Sequence, residues 1–188
     1  MKNTGLLVFV VLLAVAGGIV FWYINTRNTL VRLDETINMS MAEIDNQLQR
    51  RSDLIPNFVN TVRGYASHEQ QIFSDIAEAR TRLAGAQTVE EKAAGYNEMQ
   101  SALSRLLVIV EQYPDLKANQ NFLALQDELA GTENRIAVAR MRYNDSVSSF
   151  NIRIRSFPAS LVANNMGFTE QKYFEITETA REVPLVEF

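Results

Sequence analysis

Cysteine is absent from the 188 residues, which excludes disulfides, thiolate metal sites and cysteine nucleophiles. A single histidine, His68, leaves no parts for a histidine-based metal cluster or a Ser-His-Asp triad. Four prolines and eight glycines are too few for the many tight turns of an all-β fold. Positive charge is also scarce, with 18 basic residues against 22 acidic ones and a net charge of −4. With Lys2 and Arg27 set aside, 16 basic residues face all 22 acidic ones. That balance argues against binding a phosphate backbone, so nucleic acid is not an expected partner. No glycine-rich phosphate loop occurs, and no basic patch interleaves with aromatics. These absences point away from enzymes, and no cofactor or metal is expected.

Apolar residues make up 47% of the chain and charged residues 21%, which fits neither disorder nor a polytopic membrane protein. The length allows one ordinary domain plus a short appendage. Residues 5–24, GLLVFVVLLAVAGGIVFWYI, run without a charge. As a helix they span about 30 Å, the hydrocarbon thickness of a bilayer. Trp22 and Tyr23 stand at the far end, where amphipathic rings favour the headgroup layer. A cleaved signal peptide is the competing reading, because Ala14-Val15-Ala16 resembles a cleavage site. The apolar run continues for eight residues beyond Ala16, which favours an uncleaved anchor. The division expected is therefore an anchor over 1–27 and a helical bundle over 28–188. Lys2 on one flank and Arg27 and Arg32 on the other leave the positive-inside comparison close to a tie.

Beyond the anchor, apolar residues recur every seven positions in two rows. One row is Ile37, Ile44, Arg51, Phe58, Tyr65, Ile72, Ala79; the other is Met41, Leu48, Ile55, Val62, Glu69, Ile76, Leu83. The rows are four residues apart and form one stripe, which predicts a single helix from Asn28 to Gly85 of about 85–90 Å. Pro56 falls inside it and kinks or ends a helix. The heptad phase crosses Pro56 without a slip, which favours a kinked continuous helix over a turn there. Thr88-Val89-Glu90-Glu91 reads as a capping box opening a second helix that Pro114 stops. Phe122, Leu129, Ile136, Tyr143, Phe150 and Phe157 repeat every seven residues in a third helix that follows at once and ends at Pro158. The tail, 159–188, holds Leu161, Val162, Met166, Phe168, Tyr173, Phe174 and Ile176 as one or two packing segments. The expected fold is all-α: an N-terminal transmembrane helix, then a long antiparallel bundle of three long helices plus a shorter C-terminal segment, resembling a four-helix bundle.

QLQRRSDLIPNFVNTVRGYASHE (47–69) resembles the first signature of the LemA family, and TENRIAVARMRYNDSVSSFN (132–151) resembles the second. Phe157-Pro158, Gly167-Phe168 and the ending VPLVEF are similar to further features of that family. The resemblance implies a four-helix bundle on a bacterial cell (inner) membrane protein with the bundle in the cytoplasm, and it implies no established activity. It further implies two leads, a part in building internal membrane compartments and proximity to a membrane zinc metalloprotease.

His68-Glu69 lacks the second histidine of a zinc helix, since Ile72 stands four positions on. Arg51 and Glu69 are the two charges in the apolar rows, about 27 Å apart on a continuous helix. Each needs a partner on another helix or leaves a buried charge unpaired. The candidates are Glu133 for Arg51, and Arg135 or Arg140 for Glu69; the alternative for Arg51 is to snorkel to solvent. Asn57, Asn144 and Asn151 are possible amide members of the same network. Lengths supply the expected interface. A second helix of about 38 Å and a third of roughly 60 Å leave the membrane-proximal stripe uncovered. That stripe is Leu30, Leu33, Ile37, Met41, Ile44 and Leu48, which only a turn at Pro56 would bury internally, and the distal residues Val147, Phe150, Ile154 and Phe157 are left bare as well unless the tail folds over them. Exposed stripes of this extent mark an interface, so the expected partners are a second copy of the chain and the bilayer. The expected function is a non-enzymatic, membrane-anchored scaffold that self-assembles into a homo-oligomer. The alternative is an adaptor or regulator of another membrane protein.

Overall fold

The computed structural model describes residues 2–175, with side chains from Gly5 onward; Ile176 and the ending VPLVEF lie outside the described residues. Among the described residues the chain forms six helices and no strand. Helix α1 runs Lys2–Arg63, without a break, for 62 residues or about 93 Å. Then come α2 (Gln70–Gly85), α3 (Val89–Val110), the short α4 (Pro114–Lys117), α5 (Gln120–Arg155) and α6 (Ala159–Asn165). Residues 5–21 are exposed along their whole length, and the helix that carries them is long and apolar enough to cross a membrane.

The first helix does not reach Gly85. It stops at Arg63, and 64–69 make a turn. Glycine at 64 costs a helix about 1 kcal/mol relative to alanine, and Ser67 and His68 are weak helix formers. The last turn closes with Tyr65 N–H and Ala66 N–H both donating to the Val62 carbonyl, at 3.0 and 2.9 Å. Helix α2 then resumes in phase: Ile72, Ile76, Ala79 and Leu83 are buried as the rows require. The two row members that fall in the turn behave differently, Tyr65 being exposed and Glu69 half-buried.

Pro56 sits inside α1 without ending it. Its missing N–H orphans the carbonyl of Ser52, four residues back. Arg80 of α2 takes over that role, its Nε donating to the Ser52 carbonyl and to Ser52 Oγ, each at 3.1 Å. The Thr88 capping box is formed, with Glu91 N–H donating to Thr88 Oγ1 and the Glu91 carboxylate accepting from Thr88 N–H. The third helix does not follow at once. Ala118 and Asn119 separate α4 from α5, and Asn119 Oδ1 caps α5 by accepting from the N–H of Asn121 and of Phe122.

The chain divides into two compact units. The larger holds residues 40–144 and the tail from Lys172. In it α1 and α2 are antiparallel, joined by Ser52–Arg80 near one end and by Arg63 over the Phe73 ring near the other. Helices α2 and α3 are antiparallel, with Arg82 on Glu98 and Arg105 on Asp75. Helix α5 opposes α1, with Glu43 on Arg142, Arg50 on Glu128 and Phe58 stacked on Phe122 at 5.3 Å. The result is an up-down-up-down four-helix arrangement. At Gly95 the α3 backbone meets α2 so closely that a Cβ there would stand 3.0 Å from Leu83 Cα.

The smaller unit holds the residues up to Met39 together with 145–171. Thr26, Leu30, Ile37, Val147, Phe150, Ile154, Val162 and Ala163 are buried in it. Helix α6 leaves through Gly167, whose φ of +73° suits glycine. Phe168 N–H reaches the Ala163 carbonyl and Gly167 N–H the Asn164 carbonyl, a Schellman ending. Phe168 then packs edge-on against Phe150 at 5.4 Å.

The membrane-proximal stripe is therefore not left open. Leu30, Ile37, Ile44 and Leu48 are buried within the chain, and Leu33 and Met41 are half-buried. The turn at 64–69 adds a helix to the count and reverses the sense of every helix after it. Helix α5 consequently opposes α1, and its end joins the unit of Leu30 and Ile37. Of the distal residues, Val147, Phe150 and Ile154 are buried, and Phe157 is bare.

Candidate functional site

Among the described residues the most deeply buried charge is Arg51, on α1 inside the four-helix unit. Its Nη1 donates to Glu133 Oε2 on α5 at 2.6 Å, and its Nη2 donates to Gln100 Oε1 on α3 at 2.6 Å. The guanidinium lies 6.0 Å from the centre of the Tyr96 ring, and the Tyr96 hydroxyl donates to the other oxygen of Glu133. Burial, followed by the hydrogen bond to Glu133, pushes the Tyr96 phenol well above its ordinary value. The expected Arg51–Glu133 pair is thus formed. Tyr96 and Gln100, which complete it, look in the sequence like a seam aromatic and its polar neighbour. The signal that finds Tyr96 is chemical: a buried tyrosine hydroxyl requires a partner. The arrangement ties three helices at one level, and each side chain in it is engaged by another.

Glu69 takes no part. The helix break places it at the start of α2, where its side chain makes no capping bond. Among the described residues no ion pair joins it to Arg135 or Arg140. Arg135 is exposed and Arg140 half-buried. The charge in the second apolar row marks the start of α2, not a second seam pair. Among the described residues no group of three or more His, Asp or Glu side chains could hold a metal ion, and His68 is exposed.

Asn144 and Asn151 do not join the Arg51 network either. Each reads the backbone of the returning tail. Within the larger unit Asn144 Nδ2 donates to the Phe174 carbonyl at 3.2 Å while Phe174 N–H donates to Asn144 Oδ1 at 2.9 Å. Within the smaller unit Asn151 and Gln171 exchange the same pair at 2.8 and 2.9 Å. Tyr143 adds a hydroxyl bond to the Lys172 carbonyl at 2.9 Å, and burial raises its phenol. Phe174 is buried, with its ring edge-on to Tyr96. Asn57 is exposed.

At the anchor, Asn165 of α6 donates from Nδ2 to the Tyr23 hydroxyl at 2.9 Å. A shallow groove between α2 and α3 is lined by Asp75, Glu78, Arg82, Glu98 and Arg105. Arg82–Glu98 and Arg105–Asp75 already pair across it, and Arg82 also pairs with Glu78 along α2.

The sequence profile of the LemA family matches residues 40–188. Magnetosome protein MamQ 2 of Paramagnetospirillum magneticum is 27% identical over 188 aligned positions, covering 85% of this chain and 68% of that protein. Magnetosome protein MamQ of Magnetospirillum gryphiswaldense is 25% identical over 185 positions, with the same coverage of 85% and 68%. Protein LemA of Metamycoplasma hominis is 26% identical over 162 positions, covering 86% of this chain and 74% of that protein. The chain belongs to the LemA family, and it is a membrane-associated helical protein.

Proposed function

We propose that this LemA-family chain is a membrane-anchored helical scaffold that has no catalytic chemistry of its own and self-assembles to organise or shape the bilayer. The observation that carries the reading is the Arg51–Glu133–Tyr96–Gln100 cluster, which holds the only buried charge among the described residues and whose members are spent on one another. A site built for a substrate keeps convergent polar groups free in an open pocket; here they are bonded to each other across three helices. The naming of two relatives as magnetosome proteins supports a role in arranging membranes. Burial of Leu30, Ile37, Ile44 and Leu48 within the chain removes them as the contact between copies, so any self-assembly uses other faces.

The test is the mass of the full-length chain in mild detergent, together with electron micrographs of vesicles that contain it. The scaffold reading expects an assembly above the monomer mass and altered vesicle outlines. A monomer that leaves vesicle shape unchanged overturns it. We place the bundle on the cytoplasmic side of the inner membrane. A cysteine introduced at the exposed Ser101 of this cysteine-free chain is then protected from an impermeant thiol reagent in intact cells. Rapid labelling without lysis would put the bundle on the other side.

A further inference from the structure

Phe157 and Leu161 are bare at the bend between α5 and α6, at 82% and 61% exposure. Two large apolar side chains so close together, on a helix whose opposite face is buried through Ala159, Val162 and Ala163, call for a covering. The Asn165–Tyr23 hydrogen bond says what is near. Tyr23 is the penultimate residue of the charge-free segment 5–24, at the depth where tyrosine settles among headgroups. Leu161 stands one helical turn from Asn165, about 6 Å along α6, and Phe157 is four residues beyond. The headgroup layer on each side of the hydrocarbon is itself roughly 5–8 Å thick. The bend therefore falls within the layer, or within one turn of it. The exposed Arg27 follows Tyr23 on α1, and Arg155, exposed and loosely paired with Glu170 at 3.6 Å, precedes the bend on α5, cations suited to phosphate headgroups.

We propose that the α5–α6 bend is a second membrane contact, in which Phe157 and Leu161 insert into the headgroup–acyl boundary of the leaflet beside the anchor. The occupant is the lipid surface, because the anchor that fixes the depth of α6 is itself the membrane span. Insertion on one leaflet only adds area to that leaflet, which is how a scaffold of this kind would favour curvature. The inference rests on residues 5–24 crossing the bilayer.

The chain has one tryptophan, Trp22, so Trp22→Phe with Phe157→Trp yields a full-length chain with a single reporter at the bend. It is reconstituted into phosphatidylcholine–phosphatidylglycerol vesicles, with and without bromine on the upper acyl carbons. Insertion expects blue-shifted emission, quenching of at least about twofold by the brominated lipid, and shielding from iodide. Leu161→Trp in the same background is the independent second reporter and expects the same response. Water-like emission quenched by iodide overturns the proposal. So does emission shielded from iodide yet untouched by bromine, which would mean that a second copy or another protein covers the bend. Co-sedimentation with vesicles in the same samples separates the two readings. A chain that does not sediment refutes the membrane span, whereas one that sediments without quenching refutes only the inserted bend.

Discussion

Arg51 is 4% exposed, a burial that is tolerable because Glu133 and Gln100 hold both Nη atoms. Its Nε has no hydrogen-bond partner, so the site is not fully satisfied and depends on those two bonds. Arg51→Ala would leave Glu133 without its cation. Glu133 is about one-third exposed, so water takes over part of that loss. The expected destabilisation is about 3 kcal/mol, at the low end for an orphaned buried charge. Thermal unfolding of the full chain checks it, and a change under about 0.5 kcal/mol would mark Arg51 as a surface residue. The two buried tyrosines give a pH signature. Folding raises the Tyr96 phenol, chiefly by burial and then through Glu133, and raises Tyr143 chiefly by burial. A raised folded value means that the contribution is complete below the unfolded tyrosine value of about 10. It is lost as the pH climbs above that value, because the unfolded chain ionises first. Tyr96→Phe is expected to flatten the alkaline fall of the melting temperature and to cost about 1 kcal/mol at neutral pH for the lost hydroxyl bond. A melting curve that falls as steeply as the parent's above pH 10 would contradict the assignment.

Among the elements, α1 shows what periodicity can and cannot deliver. The heptad rows identify every buried residue of 37–62 on those rows and carry the helix correctly through Pro56. They also bridge the turn at 64–69, because α2 happens to restart in the same phase. A seven-residue repeat reports which face is buried within each helix and is blind to a loop whose length preserves the count. Gly64 and the misplaced charge at Glu69 were the local signs of that loop. Arg80 carried no sign at all. It lies off the apolar stripe, and only the fold reveals that it satisfies the carbonyl orphaned by Pro56. Replacing Pro56 by alanine restores an N–H that can donate to Ser52, so Arg80→Ala is expected to cost about 1 kcal/mol less in that background than in the parent. Urea unfolding of the four chains measures the difference. Equal costs in both backgrounds would mean that Arg80 contributes by some other contact.

At the scale of the whole molecule, one turn decides what covers a surface. A helix continuous to Gly85 leaves the stripe from Leu30 to Leu48 bare and open to another protomer. With the turn in place the chain covers the stripe itself. Ile37→Asp is therefore expected to destabilise the monomer by about 4 kcal/mol, as a buried unpaired charge does. Limited proteolysis of the 145–171 segment reads this out. A chain that stays protease-resistant but shows a lower oligomer mass would restore the interface reading. The Arg51–Glu133 pair was legible because a charge in an apolar row is a local signal that demands a partner. The tail clamps at Asn144 and Asn151 were not, since main-chain recognition leaves no side-chain pattern in the segment it reads.

The smaller unit is made from the first 39 residues and from 145–171, and that arrangement sets a timetable for biosynthesis. About a hundred residues separate the two segments, and a ribosome adding 5–20 residues per second takes roughly 5–20 s to make them. During that interval the first segment already exists, while the segment destined to cover Leu30 and Ile37 does not. Each nascent chain therefore presents an uncovered apolar helix face directly after the charge-free run 5–24, and a chaperone has that long to shield it before the 145–171 segment arrives.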